Sequence, residues 1–419
     1  MTSDPKIDQA VARVARDSCR RLVAFLASRS GNVGAAEDAL SEALQAALET
    51  WPRSGLPHNP EAWLLTTARR RLIDAYRHDV VRAEAAAALL TMADEVVDDA
   101  AGEATFPDER LKLMFVCTHP ALDLAIRTPL MLQVVFGLDA GDIASTYLVK
   151  PAAMGQRLSR AKTKIRDARI PYEVPEASVL PQRIDAVLQA IYGIYGIGWD
   201  DLKGAEALRG GFAQEAIELC QLLNAHIPRQ AEVLGLLALM LHCEARRPAR
   251  RAHDGTFTPL DEQDTRLWQQ PLIDTADGLL QEAASLQQLG RFQLEAAIQS
   301  VHAQRSRSGV TDWPSIAALY DGLAQLSPTV GVGVARASAW AKVHGAEFAF
   351  ELLDQLPLEP LANYQPYWAL RGQLLREQGR RDEAIHAYER AMGLCIDPAA
   401  RAYLLKQALS LKSSLQVDR

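Results

Sequence analysis

The chain has 419 residues, 48% of them hydrophobic, 23% charged and 6% aromatic, and its formal net charge is −7. At about 150 residues per domain the length suggests about three domains, and the apolar content excludes wholesale disorder. No apolar run reaches the ~18 residues of a membrane span, and no basic-then-apolar start marks a secretory signal. Five scattered cysteines, Cys19, Cys117, Cys220, Cys243 and Cys395, never form a C-x-x-C pair. That argues against a disulfide framework or zinc ribbon and fits a reducing cytoplasm. The P-loop, dinucleotide-binding, zinc-protease and serine-hydrolase motifs are absent, so no enzymatic activity and no cofactor are expected.

The charge is unevenly spread. Residues 1–170 hold 22 Lys+Arg and 22 Asp+Glu, so the remaining 23 and 30 give residues 171–419 the whole −7. Basic residues gather at Arg69–Arg82 and Arg157–Arg169. Glu37, Asp38 and Glu42 form one acidic cluster, and Asp94–Glu103 another. Basic segments separated by acidic ones suit local nucleic-acid binding without a high overall pI, and equally suit solvated helix faces.

In chain order, three- and four-residue apolar spacings predict an all-α protein. Val11, Val14, Ala15, Ser18, Leu22, Phe25 and Leu26 stripe a first helix. Ala36, Ala39, Leu40, Ala43, Leu44, Ala47 and Leu48 stripe a second, and Pro52–Pro60 reads as a breaker. Asn59 then caps a helix with Pro60 at its first position, running to about Arg77. Residues 83–106, Ala-rich and then acidic, read as a tether. A second helical unit spans 107–170, a connector helix 171–202, and an extension 203–419. In the extension Trp368, Gly372, Leu375, Gly379, Ala384, Tyr388, Ala391 and Pro398 follow the tetratricopeptide spacing of small and large residues, which predicts an α-solenoid.

Two stretches carry the functional signal. In the first, Asp139 caps a short helix, Leu148–Lys150 turns, and Pro151 starts a longer helix with Met154, Leu158, Ala161 and Ile165 inward. Gln156, Arg157, Ser159, Arg160, Lys162 and Lys164 are left outward or flanking. This is helix-turn-helix spacing, with a basic second helix suited to the major groove. In the second, Trp63 precedes Arg69, Arg70, Arg71 and Arg77 on one helix. Aromatic plus arginine suits unstacked bases on a single strand, while for this helix taken alone a packed tryptophan beside a solvated arginine face is the simpler explanation. Cys117, His119 and His58 could suggest a metal site, but Cys117 and His119 are only two ligands, two positions apart, and His119-Pro120 reads as a helix end; Arg246–Arg251 reads as a surface loop between repeats.

The order of these segments resembles bacterial sigma factors of the extracytoplasmic-function group: Ala36-Glu-Asp-Ala-Leu-Ser-Glu-Ala43, the Trp63–Arg77 helix, an acidic tether, Gly137-Leu-Asp-Ala-Gly-Asp-Ile-Ala144 and Met154-Gly-Gln-Arg-Leu-Ser-Arg-Ala-Lys162. Asp108–Leu122, Lys164–Pro171, Asp254-Gly255, Glu262–Trp268, Ala296–Ala303 and Thr311–Trp313 resemble the subgroup with a long helical C-terminal extension. Arg70, where many relatives have Asn, and Ile191–Trp199 depart from the pattern. The resemblance implies that Glu37, Asp38, Ser41, Glu42 and Gln45 dock on the clamp helices of the largest RNA polymerase subunit. It implies that Trp63, Arg69, Arg70, Arg71 and Arg77 recognise and melt the minus-ten element of promoter DNA. Gln156, Arg157, Arg160, Lys162 and Lys164 then read the minus-thirty-five element. It also suggests that the extension is needed for activity. The −7 of the extension beside a neutral DNA-binding half predicts regulation in cis through intramolecular contact, either by an acidic surface that holds the basic helices or by a scaffold that fixes the two domains in an active spacing. Two other readings stay open on the residues alone: a one-component helix-turn-helix regulator with a repeat sensor, and a repeat scaffold for protein partners.

Overall fold

The computed structural model describes residue 11 and residues 18–78, 108–147, 149–176, 178–200 and 211–417. The expected tether 83–106 and Leu148 of the turn lie outside them. Among the described residues every regular element is a helix, and one isolated bridge, Arg251 with Phe257, is the only β pairing. The all-α expectation holds. No helix among them is long and apolar enough to cross a membrane. The chain divides into two compact units, Met1–Leu222 and Leu223–Arg419.

The first unit opens with α1 (Cys19–Ser30), α2 (Val33–Ser54) and α3 (Pro60–His78). Gly31 ends α1 in the left-handed region at φ +66°, where a side chain would be strained. The Asn32 side chain accepts from the Ala35 N–H at 3.2 Å and so caps α2. Asn59 caps α3 in the same way, through the Ala62 N–H at 2.9 Å. Leu22, Phe25, Leu40, Trp51, Leu64 and Leu72 fill the space between the three helices, at ~1.5–3 kcal/mol for each large side chain buried. Two expectations are corrected. Helix α2 continues through Pro52 and ends at Gly55 (φ +84°), because a proline in the last turn forfeits a single bond and leaves the helix behind it intact. Leu48 is 47% exposed and does not belong to the buried stripe.

Then follow α4 (Arg110–Cys117), α5 (Leu124–Val134), α6 (Ala140–Thr146) and α7 (Pro151–Asp167). Asp139 caps α6 by accepting from the N–H groups of Gly141 and Asp142. Ile143 and Ala144 face the buried row Met154, Leu158, Ala161 and Ile165 of α7. Helices α8 (Pro181–Asp200) and α9 (Phe212–His226) complete the unit. Helix α8 is anchored by buried Arg183, which donates to Thr118 Oγ1 at 3.0 Å and to the Phe115 carbonyl. Residues Phe212–Leu222 of α9, beyond the expected 202/203 boundary, belong to this first unit.

The second unit runs from α10 (Ala231–Ala245) through α11 (Gln270–Ser285), α12 (Arg291–Ala303), α13 (Arg305–Ser308) and α14 (Trp313–Leu326). It continues through α15 (Val330–His344), α16 (Ala346–Asp354), α17 (Leu358–Leu361), α18 (Gln365–Glu377), α19 (Arg381–Leu394) and α20 (Pro398–Val417). Neighbouring helices approach closely at glycines. A Cβ on Gly235 would lie 2.7 Å from the Gln293 nitrogen, and one on Gly372 would lie 2.9 Å from the Tyr388 ring. At the first contact the Glu232 carboxylate of α10 accepts from the Phe292 and Gln293 N–H groups at 3.0 and 3.1 Å, capping α12 from outside it. Trp268 is buried with Ile273 and Ala303, and Trp313, Trp340 and Trp368 pack against the later clusters. The arginine-rich loop is spent internally: Arg246 on Gln299, Arg247 on Glu244 and Arg251 on Asp397.

One buried base makes this unit sensitive to acid. His302 on α12 sits edge-on to Trp313 at 5.4 Å, and burial, helped by Arg246, lowers its pKa to about 4. With the folded value below the unfolded one, folding favours neutral His302. That stability is complete above pH ~6.5 and drains away as pH falls through ~6.5 toward 4. At pH 5 the loss amounts to about 2 kcal/mol. Urea unfolding of His302→Gln should show an acid-induced loss between pH 7 and 5 that is smaller than the wild type's by about that amount.

Candidate functional site

Helix α2 is two-faced. Ala36, Ala39, Leu40, Ala43, Ala47 and Trp51 are buried, which turns Asp38, Ser41, Glu42 and Gln45 to solvent together. These four recur at three- and four-residue steps, so they share one stripe. Ser41 donates back to the Glu37 carbonyl at 2.9 Å and Gln45 to Glu49 at 3.3 Å. Exposed Leu48 and Glu49 extend the stripe by one turn. Leu48 was expected in the buried stripe instead, and Glu49 was not expected here, although the four-residue step from Gln45 to Glu49 was there to be read. The result is an acidic face with an apolar side chain at one end, suited to a basic protein surface.

On α3, Trp63 is half-buried and meets fully buried Trp51 edge to face, with ring centroids 5.4 Å apart. Its body is packed while one side remains accessible, so both readings of this residue keep a footing in the geometry. Arg70 and Arg71 are exposed and Arg69 is half-buried. Arg71 Nε lies 3.5 Å from Glu42 Oε2, an exposed pair of small energetic weight. Arg77 lies on the last turn of the same helix.

On α7 the outward set is Gln156, Arg157, Arg160 and Lys164, all exposed. Arg157, Arg160 and Lys164 recur at steps of three and four and line one wall of a groove of about 550 Å³. Leu122, Asp123, Ala125 and Ile126, at the start of α5, line the other. Such a groove gathers three cationic groups against one carboxylate, Asp123, and a few apolar side chains, a surface that polyanions approach.

Lys162 stands apart from that row. Its ammonium lies 2.6 Å from the Glu37 carboxylate, and the two side chains are only 19% and 30% exposed. The residue expected to meet polymerase and the residue expected to meet DNA are therefore bonded to each other.

Beside these surfaces lies an ionic cluster that sequence reading missed. Arg110 donates to Asp108 at 2.7 Å and to Glu215 at 2.9 Å, and Glu215 also receives Arg20. Arg20 in turn lies over the Phe212 ring at 4.9 Å and passes beside Gly137, whose Cβ would meet its Nε at 3.2 Å. Burial raises the Glu215 pKa, and Arg20 and Arg110 pull against that rise. For Asp108, burial pushes upward, but the hydrogen bonds and charge of Arg110 outweigh it and hold the carboxyl low. Among the described residues no cluster of His, Cys, Asp and Glu is placed to hold a metal, and burial pushes the Cys117 thiol far up.

The two tryptophans predict different mutational costs. Trp51→Ala should lose ~3–5 kcal/mol by emptying a fully buried site. Trp63→Ala should lose clearly less and leave a folded protein, a ranking that denaturant unfolding followed by circular dichroism reads directly.

Residues 15–80, which hold α1–α3, match the family model Sigma-70 region 2. Residues 183–284 match the Family of unknown function (DUF6596). Uncharacterized protein R00370 of Rhizobium meliloti (strain 1021) is 36% identical over 380 residues, covering 90% of each chain. No solved structure matches. The chain therefore belongs to one family with the Rhizobium meliloti protein, and it joins a sigma-70 region 2 to a DUF6596 region, a make-up consistent with a sigma factor of the extracytoplasmic-function type that has a C-terminal extension.

Proposed function

We propose that the protein directs core RNA polymerase to specific promoters through two DNA-reading helices, and that its helical extension regulates them in cis. The observation that carries this reading is the exposed acidic stripe of α2 inside the Sigma-70 region 2 match. Only a subunit that must dock on polymerase needs such a face upstream of its DNA-binding helices; a one-component regulator does not.

In this reading Asp38, Ser41, Glu42 and Gln45 contact the basic clamp helices of the largest subunit, with Leu48 adding apolar contact. Glu37 joins them once it leaves Lys162. Trp63 supplies a stacking surface for a base leaving the duplex, and Arg69, Arg70, Arg71 and Arg77 neutralise the strand beside it. Arg157, Arg160 and Gln156 address base edges from the groove-lining side of α7, because arginine bridges guanine and glutamine bridges adenine. Lys162 and Lys164, point charges on flexible stems, hold phosphate. None of this requires a reaction catalysed by the protein itself. The second unit, with its Gly372–Tyr388 close approach, is a tetratricopeptide-like array, and such arrays serve as regulatory or docking surfaces.

Purified core polymerase with this protein alone should initiate at specific promoters. Duplex binding without initiation would favour the one-component regulator, and neither activity would leave a protein-interaction scaffold. Glu42→Lys should abolish holoenzyme assembly without loss of helicity. Trp63→Ala should assemble but fail to open DNA, read by permanganate reactivity. Arg157→Ala or Arg160→Ala should cost ~1–3 kcal/mol at the contacted base and relax preference there, whereas Lys164→Ala should weaken all promoters alike and flatten the salt dependence.

A further inference from the structure

Glu215 is the place where three separate parts of the first unit meet. It lies in the first turn of α9, and its carboxylate takes Arg20 from α1 and Arg110 from α4. Its own side chain is 12% exposed, that of Arg110 9% and that of Arg20 19%, so the meeting is largely shielded from water, most of all on the Arg110 side. Phe212, one turn earlier, covers the Arg20 guanidinium. The helices thus joined belong to different machinery: α1 supports α2 and α3, and α4 leads into α5–α7. With α1 and α4 held together, α2 and α7 come close enough for Glu37 to bond Lys162 at 2.6 Å.

We propose that α9 is an intramolecular strap whose Glu215 closes the α1–α3 helices onto α4–α7, so that in the free chain the polymerase-docking and promoter-reading helices mask one another at Glu37–Lys162. This rests on the function proposed above. The strap belongs to the extension by sequence and to the first unit by packing. It places the brake at a residue that touches neither polymerase nor DNA in that reading, which makes Glu215 a positioning residue. Polymerase competes for Glu37, and promoter DNA competes for Lys162. Each therefore opens the pair for the other, and assembly and promoter binding become mutually dependent.

The Glu37–Lys162 pair is itself the reporter. A zero-length carbodiimide coupling turns a carboxylate–ammonium contact into an amide, and mass spectrometry of the full-length chain detects the joined peptides. In the free protein the Glu37–Lys162 cross-link should be prominent, and in the promoter-bound holoenzyme it should fall at least fivefold. That comparison needs no variant. Glu215→Gln keeps the side-chain shape without the charge. It should lower the cross-link several-fold in the free chain and raise initiation several-fold at limiting core polymerase. Arg20→Gln should move both readouts in the same direction, and Arg20→Lys should restore them, which a merely structural loss would not do. A cross-link equally abundant in the transcribing complex would overturn the proposal, because closure would then be the working state. So would Glu215→Gln with unchanged cross-linking, or with reduced initiation by a folded protein. If the wild-type chain fails to initiate with core polymerase at all, the sigma-factor reading fails. The free-chain cross-link and its response to Glu215→Gln would still report the strap.

Discussion

A carboxylate held out of water between two guanidinium groups organises the first unit. Glu215 would be driven toward its neutral form by burial alone, and it is opposed by Arg20 and Arg110. With both arginines in place the charges compensate, and with one removed a buried charge is left facing protein, typically at ~3–5 kcal/mol. That asymmetry gives the contact specificity beyond its net worth. A greasy contact tolerates sliding, whereas Arg110 bridges Asp108 and Glu215 in one fork and fixes α4 against α9 at a single register. Gly137 fits the same logic. Its positive φ ends the turn after α5, and its missing side chain leaves the path that Arg20 takes to Glu215.

Charge on the remaining helices is segregated outward. Helix α2 buries alanines and turns carboxylates to solvent, and α7 buries Met154, Leu158, Ala161 and Ile165 and turns cations to solvent. Two such faces in one unit attract each other when no partner is present, and Glu37–Lys162 is where that attraction is satisfied. The net charge of −7 conceals this arrangement, because opposite faces cancel in a sum and reinforce each other in space.

How far the sequence discloses this depends on the range of each interaction. Capping is local, so Asn59, Asp139 and the inward row of α7 are legible from a few neighbouring residues and stand where they were expected. Leu48 is harder. It lies about 100° around the helix from Ala47, at the margin of the apolar stripe, and only the packing of α1 and α3 decides which side of that margin is covered. Glu215 could not be found at all. Within α9 it is an ordinary polar position beside Phe212, Ala216 and Ile217, and its burial arises from arginines 195 and 105 positions away. The Asp108–Arg110 segment was visible as a feature of the extended subgroup, but its role became physical only once Glu215 was seen opposite it.

The two ionic contacts differ in strength, and the difference suits a regulated subunit. Glu37–Lys162 is partly open to water, so it contributes on the order of 1 kcal/mol, about what a modest competing surface supplies. The cluster at Glu215 is drier, and breaking it would strand a charge. A brake built only from the inner cluster would resist polymerase, and one built only from the outer pair would not hold the helices in place. Combined, the inner contact sets the geometry and the outer contact sets the threshold. Since every ~1.4 kcal/mol shifts a two-state population tenfold, polymerase contacts along Asp38, Ser41, Glu42 and Gln45 need to exceed the outer pair by only a small margin. Exposed charges are also screened as salt rises, whereas shielded ones are screened much less. Moderate ionic strength therefore loosens the mask over Glu37 and Lys162 while leaving the α1–α4–α9 junction in register.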